Sequence, residues 1–340
     1  MVLLKNTMNL GQYLSSKNII FKYALKRVAL VPIVILAVIT INFLLIHLAP
    51  GGPFQILLSD PSFSPQEVMI LERQYGLDKP LYMQYFIYIY NVIQGNFGIS
   101  YFYSIPVITV ILYYLPNTLI LAGLSLLLSS ILGILLGIIA AMNYTKSEKK
   151  VLDKFLNILS MIFYTTPSFW QGIMLILIFA VYLKFLPSTG TYVSVSGFSI
   201  IEYLSHLILP VISLSLLLLP PIYFFTRSNL IEINRMDFIK AVRAKGIRER
   251  IIFVRHELRN ALLPVITLIG LHGTILFGGA TIIEIVFSWP GIGLLTYNAI
   301  LNKDYPVLLG TLFFYALLVS LLNLIVDLIY LKIDPRIVLR

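Results

Sequence analysis

The apolar residues of this chain fall into six blocks whose interiors are nearly free of charge. Each block is long enough to cross a bilayer as a helix, for which about 20 residues are needed. The blocks occupy residues 28–49, 118–142, 155–183, 204–225, 261–287 and 307–331. This pattern predicts an all-α polytopic membrane protein with six transmembrane helices, in which residues 28–340 form the membrane domain.

Residues 50–106, between the first two blocks, carry helix signals of their own. The stretch Ser64-Pro65-Gln66-Glu67 has the capping-box pattern with proline at the first helical position, and Gly76 is placed to end that helix. Pro80 opens a second apolar stretch that ends near Gly95 and is too short to span a bilayer. We expect two helices packed on the outer face of the membrane domain.

Prolines lie inside several of the predicted spans. Each removes a backbone donor and bends or breaks its helix. In a membrane such a break persists only where the protein or a cavity satisfies the freed carbonyl groups. A pathway with moving helices and ordinary packing kinks both remain open as interpretations. Among these prolines are Pro167, Pro210, Pro220, Pro221 and Pro264.

The second block contains a GxxxG pattern. Gly133 and Gly137 are separated by about one helical turn, so both lie on the same side of the helix. Their missing side chains allow a neighbouring helix to approach closely. We therefore expect a packing face here, and not a binding site.

The charged residues are few and are unevenly distributed. The chain is 59% hydrophobic and only 12% charged, which excludes an ordinary soluble domain. Of its 25 Lys and Arg residues, 21 lie outside the spans on the side of the two termini, and only four lie on the opposite side. Because short basic loops stay in the cytoplasm, we expect both termini to be cytoplasmic in a multi-pass protein of the cell membrane.

Residues 1–27 are polar and basic, and the first apolar block that follows exceeds the roughly 7–15 residues of a signal-peptide core. We therefore expect a cytoplasmic N-terminal segment and a retained first span. Residues 12–27 mix apolar and basic side chains. A helix lying at the membrane interface and a simple basic flank of the first span both explain this mixture.

The chain lacks the recognisable motifs of an enzyme. The phosphate-binding pattern GxxxxGK[ST] is absent, and without cysteine there is neither a disulfide nor a thiolate metal site. His256 and Glu257 begin an HExxH zinc motif, but Asn260 occupies the position of the second histidine. We expect no catalytic site, cofactor or metal in this chain.

Two acidic residues fall inside apolar blocks, Glu284 in the fifth and Asp327 in the sixth. Ionisable groups within a membrane are costly and often functional. Both lie near a block end, where the cost falls, so structural pairing or snorkelling is the preferred interpretation of each.

The segment 226–260 is the most basic part of the chain. Asp237 is placed to cap a short helix running through Lys245, and Gly246 is placed to end it in a left-handed conformation. The apolar residues that follow at helical spacing predict an interfacial helix leading into the fifth span. They are Ile251, Val254, Leu258 and Leu262.

Ala241 and Ala244 share one face of this short helix, so another surface can approach it closely. A basic cytoplasmic loop with nothing docked on it is an equally open interpretation.

The stretch DFIKAVRAKGIRERIIFVRHELRNALLPVITLIG (237–270) resembles the cytoplasmic EAA loop of permease subunits in ABC importers. The resemblance is closest to the B-type subunit of dipeptide and oligopeptide permeases, and further motifs extend it over nearly the whole chain. These are PGGP (50–53), YGLDKPLYMQY (75–85), GNFGIS (95–100), LPNTLILA (115–122), HLILP (206–210), GGATIIEIVFSWPGIG (278–293), DYPVLLG (304–310) and NLIVDLIYLKIDPRI (323–337). Two departures occur: Gly52 replaces the Asp of the family's PGDP, and the EAA triplet reads Lys240-Ala241-Val242.

The resemblance implies a type I ABC importer permease fold that forms half of a translocation pathway for peptides or related small solutes. It implies a second permease subunit in a heterodimer, two cytoplasmic ATPase subunits that bind ATP and Mg, and an extracellular binding protein that delivers the substrate. We expect membrane lipid around the chain and no nucleic acid among its partners. We expect the ATPase to dock on the coupling loop 226–260, at Ala241, Ala244, Lys245 and Gly246.

An ion-coupled secondary transporter is the alternative function. It would need ionisable residues at the membrane midplane or inverted repeats, and the sequence shows no convincing case of either. The substrate stays open among dipeptides, oligopeptides, nickel and sugars, because selectivity in this family largely resides in the binding protein.

Overall fold

The structure of the protein, a computed structural model, describes residues 10–48, 78–145, 150–190 and 199–333. Within these ranges the regular structure is helical, apart from one isolated β-bridge between Ile99 and Pro106. The helices are α1 (Leu10–Leu48), α2 (Leu81–Ile93), α3 (Val107–Thr145), α4 (Lys150–Thr165), α5 (Ser168–Leu175, continued by a π-helical segment Ile176–Tyr182), α6 (Ile200–Arg235), α7 (Asp237–Ala244), α8 (Glu249–Ile252, continued by a π-helical segment Phe253–Leu258), α9 (Arg259–Val286), α10 (Ile292–Leu301) and α11 (Tyr305–Ile333).

Four helices are each long and apolar enough to cross a membrane: Arg27–Leu45 of α1, Val107–Tyr144 of α3, Ile200–Arg235 of α6 and Tyr305–Leu328 of α11. Two bent pairs also qualify when each pair is taken as one span: Val151–Thr165 with Ser168–Tyr182, and Glu249–Gly273 with Gly278–Val286. Counting each pair once, the part of the chain that the structure describes has six spans. The predicted all-α polytopic fold is confirmed.

Several predicted boundaries shift. The second span begins at Val107 instead of residue 118, because the apolar run before Pro116 joins the same helix. Residues 12–27 belong to α1, which continues without a break into the first span. The predicted helix between Ser64 and Gly76 lies outside the described residues. The second helix of that insertion is confirmed as α2.

The predicted third span, residues 155–183, is two helices that meet at an angle of 105°. Pro167 has no N–H group, so the carbonyl group of Phe163 loses its helical partner. The side-chain nitrogen Nε2 of Gln171 donates to the carbonyl oxygen of Phe163 at 2.7 Å and to that of Thr166 at 3.0 Å. Gln171 is itself buried. The break therefore has the internal hydrogen-bond partner that an apolar environment requires.

Four further prolines of the predicted spans lie inside continuous helices: Pro210, Pro220 and Pro221 in α6 and Pro264 in α9. One proline removes a single helical hydrogen bond, which bends a helix without ending it when the surroundings support both sides. The predicted fifth span does change direction, by 59°, between Gly273 and Gly278 and not at Pro264.

The described chain divides into two compact units. The first contains the residues up to Tyr113 and those from Asn298 onward, and the second is Tyr114–Tyr297. In the first unit α1 packs against α11, and Arg27 pairs with Asp327 at 3.0 Å. The prediction that Asp327 forms a structural pair is confirmed.

A buried carboxylate fixes the start of α11 in the first unit. Asp304 accepts hydrogen bonds from the backbone N–H groups of Tyr101 and Phe102, each at 3.2 Å, and from the hydroxyl group of Ser100. It also accepts from the N–H of Val307 at 3.4 Å, a capping bond on the first turn of α11. The motifs at 95–100 and 304–310 are thereby joined.

A second buried carboxylate fixes the start of α10 in the second unit. Glu284 of α9 is fully buried and accepts from the N–H groups of Gly293 and Leu294, at 2.7 and 3.1 Å. The hydroxyl group of Thr118 donates to the same carboxylate at 2.7 Å and accepts from the N–H of Ile292 at 2.7 Å. Structural pairing of Glu284 is confirmed, and its full burial excludes snorkelling.

The main apolar core of the second unit lies beside this carboxylate. Its largest fully buried side chain is Trp289, whose indole N–H donates to the carbonyl oxygen of Asn117 at 3.1 Å. The surrounding core residues come mainly from α3, α6 and α9 and include Leu121, Leu209, Leu214, Leu218, Ile283 and Phe287.

The GxxxG pattern of α3 packs against α6, as predicted. A Cβ atom at Gly133 would lie 2.8 Å from Cγ2 of Ile222, and one at Gly137 would lie 2.6 Å from Cβ of Thr226. Both distances are shorter than real contacts between carbon atoms. The two glycines therefore set how closely α3 and α6 approach.

We predict that Gly137→Ala destabilises the protein by about 1–3 kcal/mol, because the added methyl group overpacks the contact with Thr226. Urea unfolding in detergent micelles measures this change. Gly123→Ala is the matched control on the same helix, since nothing lies within 4 Å of a Cβ atom there. Equal stability of the two variants would contradict the packing role.

Candidate functional site

The basic segment 226–260 folds around the short helix α7. Gly246, just beyond the end of α7, has a φ angle of +74°. This left-handed conformation confirms the predicted helix end, and glycine adopts it without the steric penalty that a Cβ atom brings.

Asp237 does not cap α7, and this prediction is wrong. A capping residue needs extended backbone, and here Met236 has it, with φ −66° and ψ 145°. Asp237 is the first helical residue, and its carboxylate accepts from Nζ of Lys240 at 2.8 Å. This hydrogen bond lowers the pKa of Asp237 below its ordinary value.

One side of α7 is buried and the other is open. Ile239 is fully buried in an apolar cluster with Ala141, Leu230, Ile233, Ile252 and Ala261. All four predicted docking residues are exposed, namely Ala241, Ala244, Lys245 and Gly246. We call these four residues the α7 surface. A Cβ atom at Gly246 would find nothing within 4 Å beyond its chain neighbours, so this surface is sterically open to a partner.

A polar network ties the buried side of α7 to its surroundings. Arg243 donates from Nε to Glu249 at 3.0 Å and from Nη2 to Glu257 at 3.1 Å. The same Glu257 oxygen, Oε1, accepts from Nδ2 of Asn234 at 2.7 Å. Glu257 is 5% exposed. One buried carboxylate therefore connects α6, α7 and the π-helical segment that leads into α9.

A cavity of about 410 Å³ lies beside this network. Its polar lining consists of Asn234, Arg243, Glu249, Arg250 and Glu257, and its apolar lining includes Ala141, Leu230 and Phe253. Charged side chains of both signs border the space, so it has no strong preference for an anion or a cation.

A second charge pair joins α4 to α6. Arg227 donates from Nε and Nη2 to the two carboxylate oxygens of Asp153, at 2.6 and 2.8 Å. The two side chains are only 19% and 7% exposed, and the guanidinium carbon of Arg227 lies 5.3 Å from the ring centre of Tyr144. This two-pronged geometry is the strongest form of an arginine–carboxylate contact.

Neither charge network was predicted from the sequence. In the sequence, Glu257 belongs to an incomplete zinc motif. Its position as an acidic residue within a dense basic run was the signal that could have indicated an ion pair. In the sequence, Arg227 contributes to the charge bias. Its ion pair could not be predicted, because its partner Asp153 is 74 positions away in the chain. Among the described residues, no three His, Cys, Asp or Glu side chains are arranged to hold a metal ion.

Comparisons with known proteins show the family of this chain. Residues 133–339 match the family model described as "Binding-protein-dependent transport system inner membrane component". Residues 20–122 match the model for the N-terminal part of such membrane components. The chain belongs to this family. It is therefore a membrane protein of the ABC importer permease class, whose members are not themselves enzymes.

Curated members of the permease family match along nearly their full length. The oligopeptide transport system permease protein AppB of Bacillus subtilis is 35% identical over 316 residues, covering 93% of this chain and 98% of the relative. The dipeptide transport system permease protein DppB of Lactococcus lactis is 36% identical over 317 residues, with coverages of 93% and 99%. DppB of Escherichia coli K12 is 33% identical over 337 residues, with coverages of 93% and 98%. These comparisons give no support to the ion-coupled alternative.

The fold also matches a solved member of this transporter class. A chain of the MetNI methionine ABC transporter, in inward-facing conformations, aligns with a TM-score of 0.53 at 18% sequence identity. The alignment covers 66% of this permease and 96% of that chain. At this identity the match shows the importer permease fold alone.

We predict that Arg227→Met destabilises the permease by about 3 kcal/mol, because it leaves the carboxylate of Asp153 buried without its partner. The double variant Arg227→Met with Asp153→Leu should recover most of that loss, since no uncompensated charge then remains. Unfolding in detergent, arranged as a double-mutant cycle, measures the coupling. Arg235→Met is the control, because Arg235 is exposed, and a loss there as large as that of Arg227→Met would contradict the role of burial.

Proposed function

We propose that this chain forms half of the translocation pathway of an ATP-driven importer for peptides or related small solutes. The observation that carries the proposal is identity of 33–36% to dipeptide and oligopeptide permeases over 93% of the chain. An extracellular binding protein delivers the substrate, and this permease pairs with a second, different permease subunit.

ATP hydrolysis takes place in two separate cytoplasmic subunits. The glycine-rich loop that binds phosphate groups is absent from this sequence. A permease of this family therefore depends on partner subunits that bind ATP and Mg. Closure of the ATPase pair on ATP displaces docked elements of the permease, and the helices re-orient as rigid bodies to give alternating access.

The ATPase docks on the α7 surface. Two features support this assignment: the four residues are exposed, and three of them are alanine or glycine, which let a partner backbone approach closely. The neighbouring Arg and Lys side chains orient the partner electrostatically. Ile239 holds the opposite side of α7 in the apolar cluster. A displacement of α7 is therefore transmitted to the membrane domain.

Both termini and the segment 226–260 lie in the cytoplasm. The charge bias supports this orientation, since 21 of the 25 basic residues belong to that side. The same orientation places the α7 surface where cytoplasmic ATPase subunits can reach it, and places α2 on the outer side.

Cysteine labelling tests the orientation, and the chain has no native cysteine to interfere. We expect Ser147→Cys to react with a membrane-impermeant thiol reagent only after the cell is opened. Ser188→Cys should react in intact cells. The reverse pattern would overturn the proposed topology.

We predict that Gly246→Val and Ala244→Trp abolish most transport and most substrate-stimulated ATP hydrolysis. Valine strains the left-handed backbone by roughly 1–2 kcal/mol, and either larger side chain obstructs the partner. Insertion into the membrane should persist, because the spans are untouched. The measurement uses the assembled importer in proteoliposomes.

Gly246→Asn is the matched control, because asparagine tolerates the left-handed conformation better than valine. It should lose less activity than Gly246→Val. If Gly246→Val and Ala244→Trp both assemble and transport like the wild type, the α7 surface does not dock the ATPase and the segment is an undocked basic loop.

A further inference from the structure

α7 is attached to the rest of the second unit by two different kinds of contact. Ile239 enters the apolar cluster, where attraction depends on buried area and has no preferred direction. Such a contact keeps α7 in place but allows it to rock. The hydrogen bonds of Arg243 are directional, and they alone among the described polar contacts connect α7 to Glu249 and Glu257.

The two carboxylates that share Arg243 are in very different surroundings. The side chain of Glu249 is 71% exposed, so water weakens its ion pair and little free energy depends on it. The side chain of Glu257 is 7% exposed, and its oxygen Oε1 is fixed by Asn234 of α6 as well as by Arg243. Of the two ion pairs of Arg243, only the one with Glu257 therefore fixes the direction of α7 relative to the long helices.

The space around the network allows a different arrangement when Glu257 is absent. The charged groups that border the cavity next to Glu257 are Arg243, Glu249 and Arg250. Without the buried carboxylate, Arg243 can turn toward Glu249 and water. α7 then keeps only its apolar anchor and its short covalent links.

We propose that Glu257 is a positioning residue for energy coupling, which holds α7 rigidly to the inner ends of α6 and α9. A displacement of α7 by the ATPase then moves those helices, and does not merely tilt α7 on its apolar anchor. The inference rests on the proposed function, in which α7 docks the ATPase.

The number of ATP molecules hydrolysed for each substrate molecule transported tests the coupling role. The assembled importer is reconstituted with its binding protein, and a radiolabelled tryptic peptide digest serves as the transport probe. We expect Glu257→Ala to raise this ratio severalfold while ATP hydrolysis continues. Glu249→Ala is the matched control, because it removes the other partner of Arg243, and its ratio should stay near that of the wild type.

A distance measurement tests the rigidity of α7 separately. Spin labels are placed by Glu232→Cys on α6 and Lys240→Cys on α7, both exposed positions, in an importer whose partner subunits lack cysteine. The distance distribution between the labels should broaden in Glu257→Ala and stay narrow in Glu249→Ala. If Glu257→Ala does not accumulate, Glu257→Gln keeps one acceptor oxygen and should show the same changes to a smaller extent.

The outcomes separate this inference from the proposed function. An unchanged distance distribution in Glu257→Ala overturns the positioning role. A broadened distribution with an unchanged ATP ratio overturns the coupling role, provided that Gly246→Val still abolishes transport. If the distribution broadens in Glu257→Ala but Gly246→Val transports normally, α7 is not the docking site. The proposed docking then fails, while the positioning role of Glu257 stands.

Discussion

The structure of this permease depends on one requirement of an apolar environment, that every backbone polar group must find its partner inside the protein. A helix interruption leaves N–H or C=O groups without partners, and at three interruptions a buried side chain supplies them. Gln171 donates to the carbonyl groups freed at Pro167. Glu284 accepts from the first amides of α10, and Asp304 from those of the loop before α3. These three side chains satisfy polar backbone groups where the helices bend or begin again.

The same requirement explains how several of the family motifs are connected in the structure. Within the first unit, Asp304 joins the motif at 95–100 to the one at 304–310. Within the second, Glu284 joins the motif at 115–122 to the one at 278–293 through Thr118. A Cβ atom at Gly291 would collide with the carboxylate of Glu284, so glycine is needed where the chain passes that group. These motifs accordingly serve folding first, and no docking or catalytic role is needed to explain them.

The basic segment has two sides with different physical roles. Its exposed side, the α7 surface, consists mainly of small residues, which suits close approach of a large partner. Its inner side combines an apolar anchor, Ile239, with a directional hydrogen-bonded carboxylate, Glu257. A docked partner can move membrane helices through such a segment only if the inner attachment resists rocking. The buried position of Glu257 meets that condition, and the exposed position of Glu249 does not.

The sequence alone determined the features that depend on local composition and spacing: six apolar spans, the charge bias, the helix end at Gly246, the packing face at Gly137 and the family. Each follows from properties of neighbouring residues, namely apolar length, backbone freedom or the absence of a side chain. The tertiary structure decided the features that depend on how side chains of different helices meet in space. The 105° break needed a donor from Gln171, and the attachment of α7 needed Glu257 to meet both Arg243 and Asn234. Hydrogen bonds depend on distance and direction in space, and neither quantity can be read from the order of residues when the partners lie on different helices.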